Sequence, residues 1–251
     1  LPPGQLDFLK RLKERGATVV VILTGGSALA VPEVHELADA IIMAWYPGAE
    51  GGNAIADILF GDVEPSGALP VTFYRGVEQL PAYENYDMEG RTYRYFDGEP
   101  LYPFGFGLSY TSFAFSELEA PREVSIPTPQ AGPSRTDDAA ERIEVTVKVK
   151  NSGERRGKVA VQLYLLPPEQ PFQTPLASLK GVRKVDLGAG EERLLRFYLD
   201  RSAWELFDEA GEATVPKGSW GLTIGASAPG SRGVELGAPT PVSTTLEVAT
   251  N

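Results

Sequence analysis

The sequence predicts an α/β half followed by an all-β half, and three observations carry that prediction. Before residue 61, helical periodicities alternate with continuous apolar runs. After Ile143, short alternating runs recur between turn signals. Between these halves, Arg75 to Tyr110 is dense in Tyr, Gly and Pro and follows no period. The expected architecture is a partial doubly wound α/β layer with an aromatic strap over residues 1–111, then a β-sandwich over residues 112–251 with an exposed loop at about 120–142.

From Gly4 to Gly16, apolar Leu6, Leu9 and Leu12 recur at helical spacing with Lys10, Arg11, Lys13 and Glu14 opposite, and Gly16 serves as the stop. Thr18 to Thr24 reads TVVVILT, a run suited to a strand covered on both faces of a parallel sheet. A short helix through Glu33 to Ala38 follows, then a second buried strand at Ala40 to Trp45. The helix Gly51 to Phe60 carries Ile55, Ile58 and Leu59 on one face and ends at Gly61. This order is the tail of a doubly wound layer. GDVEPSGALP is turn-rich, and VTFY reads as a short strand leading into the strap.

The second half offers strands at Ser112–Leu118, Ile143–Val149, Lys158–Leu165, Ala177–Val185, Leu194–Leu199, Trp220–Ile224 and Val242–Val248, with turns at Asn151-Ser152-Gly153 and Gly188-Ala189-Gly190. The spacing is that of an immunoglobulin-like or fibronectin-III-like sandwich. From Ala120 to Arg142 the Pro, Ser, Thr and Asp content rises and apolar residues thin out, which marks the surface loop.

Composition narrows the function. With 23 Lys plus Arg against 34 Asp plus Glu, the net charge is -11 over 251 residues, which disfavours nucleic acid and anionic membranes as partners. No cysteine and one histidine leave no disulfide framework, thiol nucleophile or multi-His metal site. The longest apolar run, near Val19 to Leu23, is far short of the ~20 residues of a membrane span, and no leader pattern opens the chain. A soluble protein is expected, cytoplasmic or secreted, and the absence of Met at the start suggests that Leu1 is not the native first residue.

No catalytic set is visible. Thr24-Gly25-Gly26-Ser27 lacks the Lys-Ser/Thr ending of a phosphate loop and the spacing of a dinucleotide fingerprint, and Ser27 lies in no nucleophile elbow. His35 reads as a partly exposed structural residue. Glycoside hydrolysis needs two carboxyl groups flanking one bond, but composition selects no pair among Glu50, Asp62, Glu84, Asp87, Glu89 and Asp97. Arg91 and Tyr93, within an aromatic stretch from Tyr83 to Tyr102, are the candidates for a substrate-adjacent position, a sugar-stacking face with guanidinium donors. An aromatic strap cementing two domains fits the same stretch equally well.

MAWYPGAEGGNAIADILFGDVEPSGALPVTF from Met43 and GRTYRYFDGEPLYPFGFGLSYTSF from Gly90 closely resemble the C-terminal region of family 3 glycoside hydrolases, the exo-acting β-glucosidases and β-xylosidases. LKGVRKVDLGAGEERLLRFYL from Leu179 and PKGSWGLTIGASA from Pro216 resemble the fibronectin-type-III-like domain that ends many of them. One departure is Glu64, in GDVEP, where the family usually has Asn.

The resemblance implies a retaining mechanism with an Asp nucleophile and a Glu acid/base. It places the Asp in an N-terminal TIM-like barrel and the Glu on a loop before Leu1, so neither is carried onto a residue here. It also implies no metal or cofactor, a β-linked oligosaccharide or aryl glycoside as substrate of the intact enzyme, and the N-terminal barrel part as the chain's partner. The GRTYRYFDGEPLYPFG wording leans towards β-xylosidases. A non-catalytic carbohydrate-binding or surface interaction module is the alternative, weakened by the α/β core in Met43 to Phe73. With its first strands absent, the α/β layer is expected to show an unpaired sheet edge and an uncovered apolar face.

Overall fold

A computed structural model of the chain describes residues 1–126 and 142–250. Its first half is α/β and its second half all-β. Helix α1 (Pro3–Glu14) begins with Pro at its first position, where the missing N–H costs nothing, and carries Arg11 and Lys13 in its last turn. Strand β1 (Val20–Thr24), helix α2 (Pro32–Leu37), strand β2 (Ala40–Trp45) and helix α3 (Gly51–Phe60) follow in the expected order. Gly61 ends α3 in the left-handed conformation, φ 80°.

β1 and β2 pair in parallel from Val20↔Ala40 to Leu23↔Met43, with a register shift before Thr24↔Trp45. The Asp39 carboxylate fixes this pair to α1, because it accepts the Val19 amide N–H at 2.7 Å and the Lys13 ammonium at 2.9 Å. Leu23, Val31, Val34, Phe73 and Leu101 form the small core of this half. Among the described residues β1 and β2 pair only with each other, and Val20 and Ile22 stay about four-tenths exposed at 43% and 40%. The uncovered apolar face expected from the sequence is thus present.

The strap runs from the end of α3 to Ser112. The VTFY strand shrinks to a single antiparallel bridge, Phe73↔Tyr102, since Pro70 before it and Pro103 after it interrupt any longer ladder. The Leu69 amide bonds the Phe106 carbonyl and the Gly105 amide bonds the Leu69 carbonyl, both at 2.8 Å, so the strap folds back on itself. A one-turn helix α4 (Thr92–Tyr95) sits at its centre.

The second half comprises β3 (Phe113–Glu119), β4 (Glu123–Ile126), β5 (Ile143–Asn151), β6 (Gly157–Leu166), β7 (Ser178–Leu187), β8 (Glu192–Leu199), the two-residue strands β9 (Leu206–Phe207) and β10 (Ala213–Thr214), β11 (Gly218–Gly225), the short helix α5 (Arg232–Glu235) and β12 (Val242–Thr250). One sheet has the order β4-β12-β11-β6-β7 and the other β3-β5-β8. Period-2 alternation puts Val145, Val147 and Val149 of β5 against Val161, Leu163 and Leu165 of β6, all completely buried. Trp204 and Trp220 meet edge to face at 5.4 Å in the same core.

Part of the segment expected to be a loop at about 120–142 is a strand. Glu123–Ile126 forms β4, which pairs in parallel with Glu247–Thr250 at the sheet edge and buries Val124 and Ile126. The four-residue run EVSI is alternating, but Pro121 and Pro127 mask it at the composition level. The expectation for residues 127–141 falls outside the described residues.

Asn151 closes the β5 turn. Its side chain accepts the Thr111 hydroxyl at 2.7 Å and the Gly153 amide at 3.1 Å, and donates to the carbonyls of Arg155 at 2.7 Å and Leu187 at 3.0 Å. A fully buried amide with every hydrogen-bonding site used fixes the chain where the strap enters the sandwich.

Candidate functional site

Arg91 and Tyr93 stand on either side of Thr92, whose φ of 57° is rare for a β-branched residue. The Thr92 amide donates to the Tyr74 hydroxyl at 2.7 Å, which helps hold this conformation. The turn sends the two candidates apart. The Arg91 guanidinium donates to the carbonyls of Asp87, Ala82 and Asn85 and so closes its own loop. Tyr93 turns towards the sandwich, stacks on Phe104 with centroids 4.4 Å apart, meets Tyr164 edge to face at 5.8 Å and accepts the Leu179 amide at 3.1 Å. Tyr164 is fully buried, which pushes its phenol far up, and it donates to Gln162.

Tyr83 and Tyr86 lie on the loop that Arg91 closes, and both are 89% exposed. The strap therefore has two parts: an inner aromatic layer packed on protein and an outer tip that presents rings to solvent.

A polar cluster joins the three parts of the chain. His35 Nδ1 lies 2.8 Å from the Tyr102 hydroxyl. Burial first, then the Arg232 and Arg75 charges, hold the His35 pKa below its ordinary value against a smaller opposing effect of Glu36. Burial raises the Tyr102 pKa, so a protonated phenol meets the neutral ring. Arg232 donates to the Leu101 carbonyl at 3.4 Å and pairs with Glu235, while Arg75 pairs with Glu99. Glu64 accepts the Ser109 hydroxyl and the Lys158 amide, tying the GDVEP turn to strap and sandwich together.

In a doubly wound layer, ligands bind outside the carboxyl ends of the strands. Here those ends carry Gly25 and Gly26 after β1 and Tyr46 after β2. Trp45 is left-handed at φ 53°, and Tyr46 is 80% exposed and lies over Gly26, where a Cβ would stand 2.8 Å from its ring. Sequence reading passed over this pair; their position at a strand end was the available signal.

Glu50, Asp62, Glu84, Asp87, Glu89 and Asp97 are all exposed, and Glu84, Asp87 and Glu89 share the loop that Arg91 closes. Among the described residues no group of three His, Cys, Asp or Glu could hold a metal ion, and no helix is long and apolar enough to cross a membrane.

Comparison with known proteins gives a separate match to each half of the chain. Residues 1–110 match the family described as the glycosyl hydrolase family 3 C-terminal domain, and residues 159–228 match the fibronectin type III-like domain. The chain belongs to the C-terminal region of glycosyl hydrolase family 3. This family 3 region is 41% identical over 228 residues to a xylan 1,4-beta-xylosidase of Xylanibacter ruminicola, covering 90% of the chain and 25% of the relative. It is 37% identical over 237 residues to the periplasmic beta-glucosidase of Salmonella typhimurium, with 90% and 29% covered.

Among solved structures, the beta-glucosidase of Listeria innocua in complex with glucose superposes with a TM-score of 0.80 at 30% identity, over 99% of this chain and 33% of that one. The beta-D-glucoside glucohydrolase of Trichoderma reesei gives 0.82 at 28% identity, over 97% and 35%. The chain thus spans a quarter to about a third of the length of these relatives.

Proposed function

We propose that this chain is the non-catalytic C-terminal part of a retaining, exo-acting β-glycosidase of β-xylosidase or β-glucosidase type. The observation that carries the reading is the ordered match of the first half to the glycosyl hydrolase family 3 C-terminal domain and of the second to the fibronectin type III-like domain, in a chain spanning only a quarter to a third of β-xylosidase and β-glucosidase relatives. Hydrolysis by this mechanism needs two carboxyl groups roughly 5 Å apart across the scissile bond. Both belong to the part of such an enzyme that precedes this region, an N-terminal barrel and the first section of the α/β domain.

In this arrangement the exposed Val20 and Ile22 side of β1 receives the rest of the α/β layer, and the strand ends near Tyr46 face the substrate. The substrate is a β-linked oligosaccharide or aryl glycoside, cut at its non-reducing end. The sandwich braces the layer through the strap.

The test is an assay of aryl β-xylosides and β-glucosides with the purified 251-residue chain, alone and after joining to the barrel part of a family 3 relative. No turnover is expected alone, and turnover is expected after joining. Hydrolysis by the chain alone that disappears on substitution of one of its own acids would overturn the reading.

A further inference from the structure

A cleft of about 340 Å³ opens where the strap meets the sandwich turn that leads into α5. Its size falls at the low end of the roughly 300–1,000 Å³ typical of small-molecule sites. We propose that this cleft binds a single neutral pyranose, held between aromatic rings and hydrogen-bonding groups contributed by both halves of the chain.

The lining is of two kinds. Tyr93, Phe96 and Phe104 supply aromatic surface, and all three rings are already fixed: Phe96 packs edge to face on Tyr74 at 5.0 Å, and Phe104 and Tyr93 stack on each other. Fixed rings lose little entropy when a ligand covers them. The polar groups lie around them. Asp97 is exposed at the rim and has neither an ion pair nor a hydrogen bond among the described residues, leaving its oxygens free to accept. The Thr72 side chain lines the cleft, is 93% buried because only 7% of it is exposed, and has a hydroxyl with no partner. A buried polar group in that state is costly, and a ligand hydroxyl at the cleft wall is the partner the proposal assigns to it. Arg232 supplies donors from the sandwich side, held in place by the Leu101 carbonyl and Glu235.

A pyranose fits this combination because one molecule carries an apolar C–H face and a belt of hydroxyls that both donate and accept. Phosphorylated or carboxylated ligands fit poorly, since the lining carries two carboxylates, Asp97 and Glu99, and one cation, Arg232, which is already paired with Glu235. The lining alone calls for such a ligand, whatever reaction the whole protein performs.

Saturation-transfer NMR and titration calorimetry on the 251-residue chain, with methyl β-D-xyloside, methyl β-D-glucoside and glucuronate as probes, test the assignment. Saturable binding of a neutral glycoside is expected with a Kd on the order of 1–10 mM. Asp97→Ala, at an exposed position, should weaken it about fivefold or more at unchanged melting temperature, because one charged hydrogen bond is lost. Thr72→Val should weaken it as well, and Tyr86→Ala should not. Absence of saturable binding, stronger binding of glucuronate than of the neutral glycosides, or unchanged affinity in Asp97→Ala would each overturn the proposal.

Discussion

Gln162 of β6 donates its side-chain amide to the Gly105 carbonyl at 3.1 Å, and this bond locks the strap onto the sandwich sheet. Gly105 has φ 79°, and a Cβ there would collide with the Gln162 amide, so both the turn and the close approach require glycine.

Gly105→Ala is therefore expected to cost about 2 kcal/mol or more, combining roughly 1–2 kcal/mol of left-handed strain with the displaced amide. Gly190 is the control. It has φ 73° but nothing within 4 Å of its missing Cβ, so Gly190→Ala should cost only the strain. Chemical denaturation of the two variants measures the difference; equal losses would show that the Gln162 contact contributes nothing.

The inner and outer parts of the strap should separate under mutation. Phe104→Ala removes a ring stacked on Tyr93 and is expected to cost about 2 kcal/mol or more, a fall of roughly 5–10 °C in Tm for a chain of this size. Tyr83→Ala and Tyr86→Ala change fully presented rings and should leave Tm within about 2 °C. Thermal melts followed by near-UV circular dichroism decide the matter. A large loss for Tyr86→Ala together with none for Phe104→Ala would reverse the roles assigned here.

The sequence made the layers legible because their periods are strong. TVVVILT and AIIMAW form the strands their apolar runs predict, although Val20 and Ile22 leave one side of β1 exposed where burial on both faces was expected, and the β5 alternation of Val145, Val147 and Val149 maps directly onto the core. β4 escaped because four residues between two prolines carry too short a pattern to outweigh the surrounding loop composition. The separation of Arg91 from Tyr93 was illegible for a different reason. It depends on the positive φ of Thr92, which no β-branched residue advertises. The groups lining the cleft come from positions as distant as Thr72 and Arg232, and only the register of strap on sandwich brings them together.

The β-sandwich beginning near Ser112 is expected to fold without the α/β half. Its core of valines, leucines and two tryptophans draws on residues from Phe113 to Val248, and a body with its own core folds as a unit. A chain running from Ser112 to Asn251 should melt in one cooperative step. Its midpoint should lie below that of the whole chain, since the Thr111 hydroxyl bond to Asn151 and the Tyr93–Tyr164 contact are lost. A non-cooperative melt would show that strap and sandwich share one core and that the boundary at 111/112 is misplaced.

Acid should loosen the junction before it attacks the surface ion pairs. The His35 pKa is held below its ordinary value in the fold, chiefly by burial and then by Arg232 and Arg75, so the folded chain binds this proton less readily than the unfolded chain. The stabilisation is complete above the unfolded value of about 6.5 and is lost as pH falls through the lowered folded value. Carboxylates with lowered values, such as Asp39 and Glu235, respond in the same direction but only at lower pH, below their own ordinary range. Melting temperature measured from about pH 7.5 down to about pH 5 should decline in the native chain, and the decline should be shallower in His35→Gln, which removes the titrating ring. His35→Gln also places an amide beside the Tyr102 hydroxyl, so its stability at the upper end of the range should change little. Parallel pH profiles in the two proteins would show that His35 does not titrate across this junction and that the decline has another source.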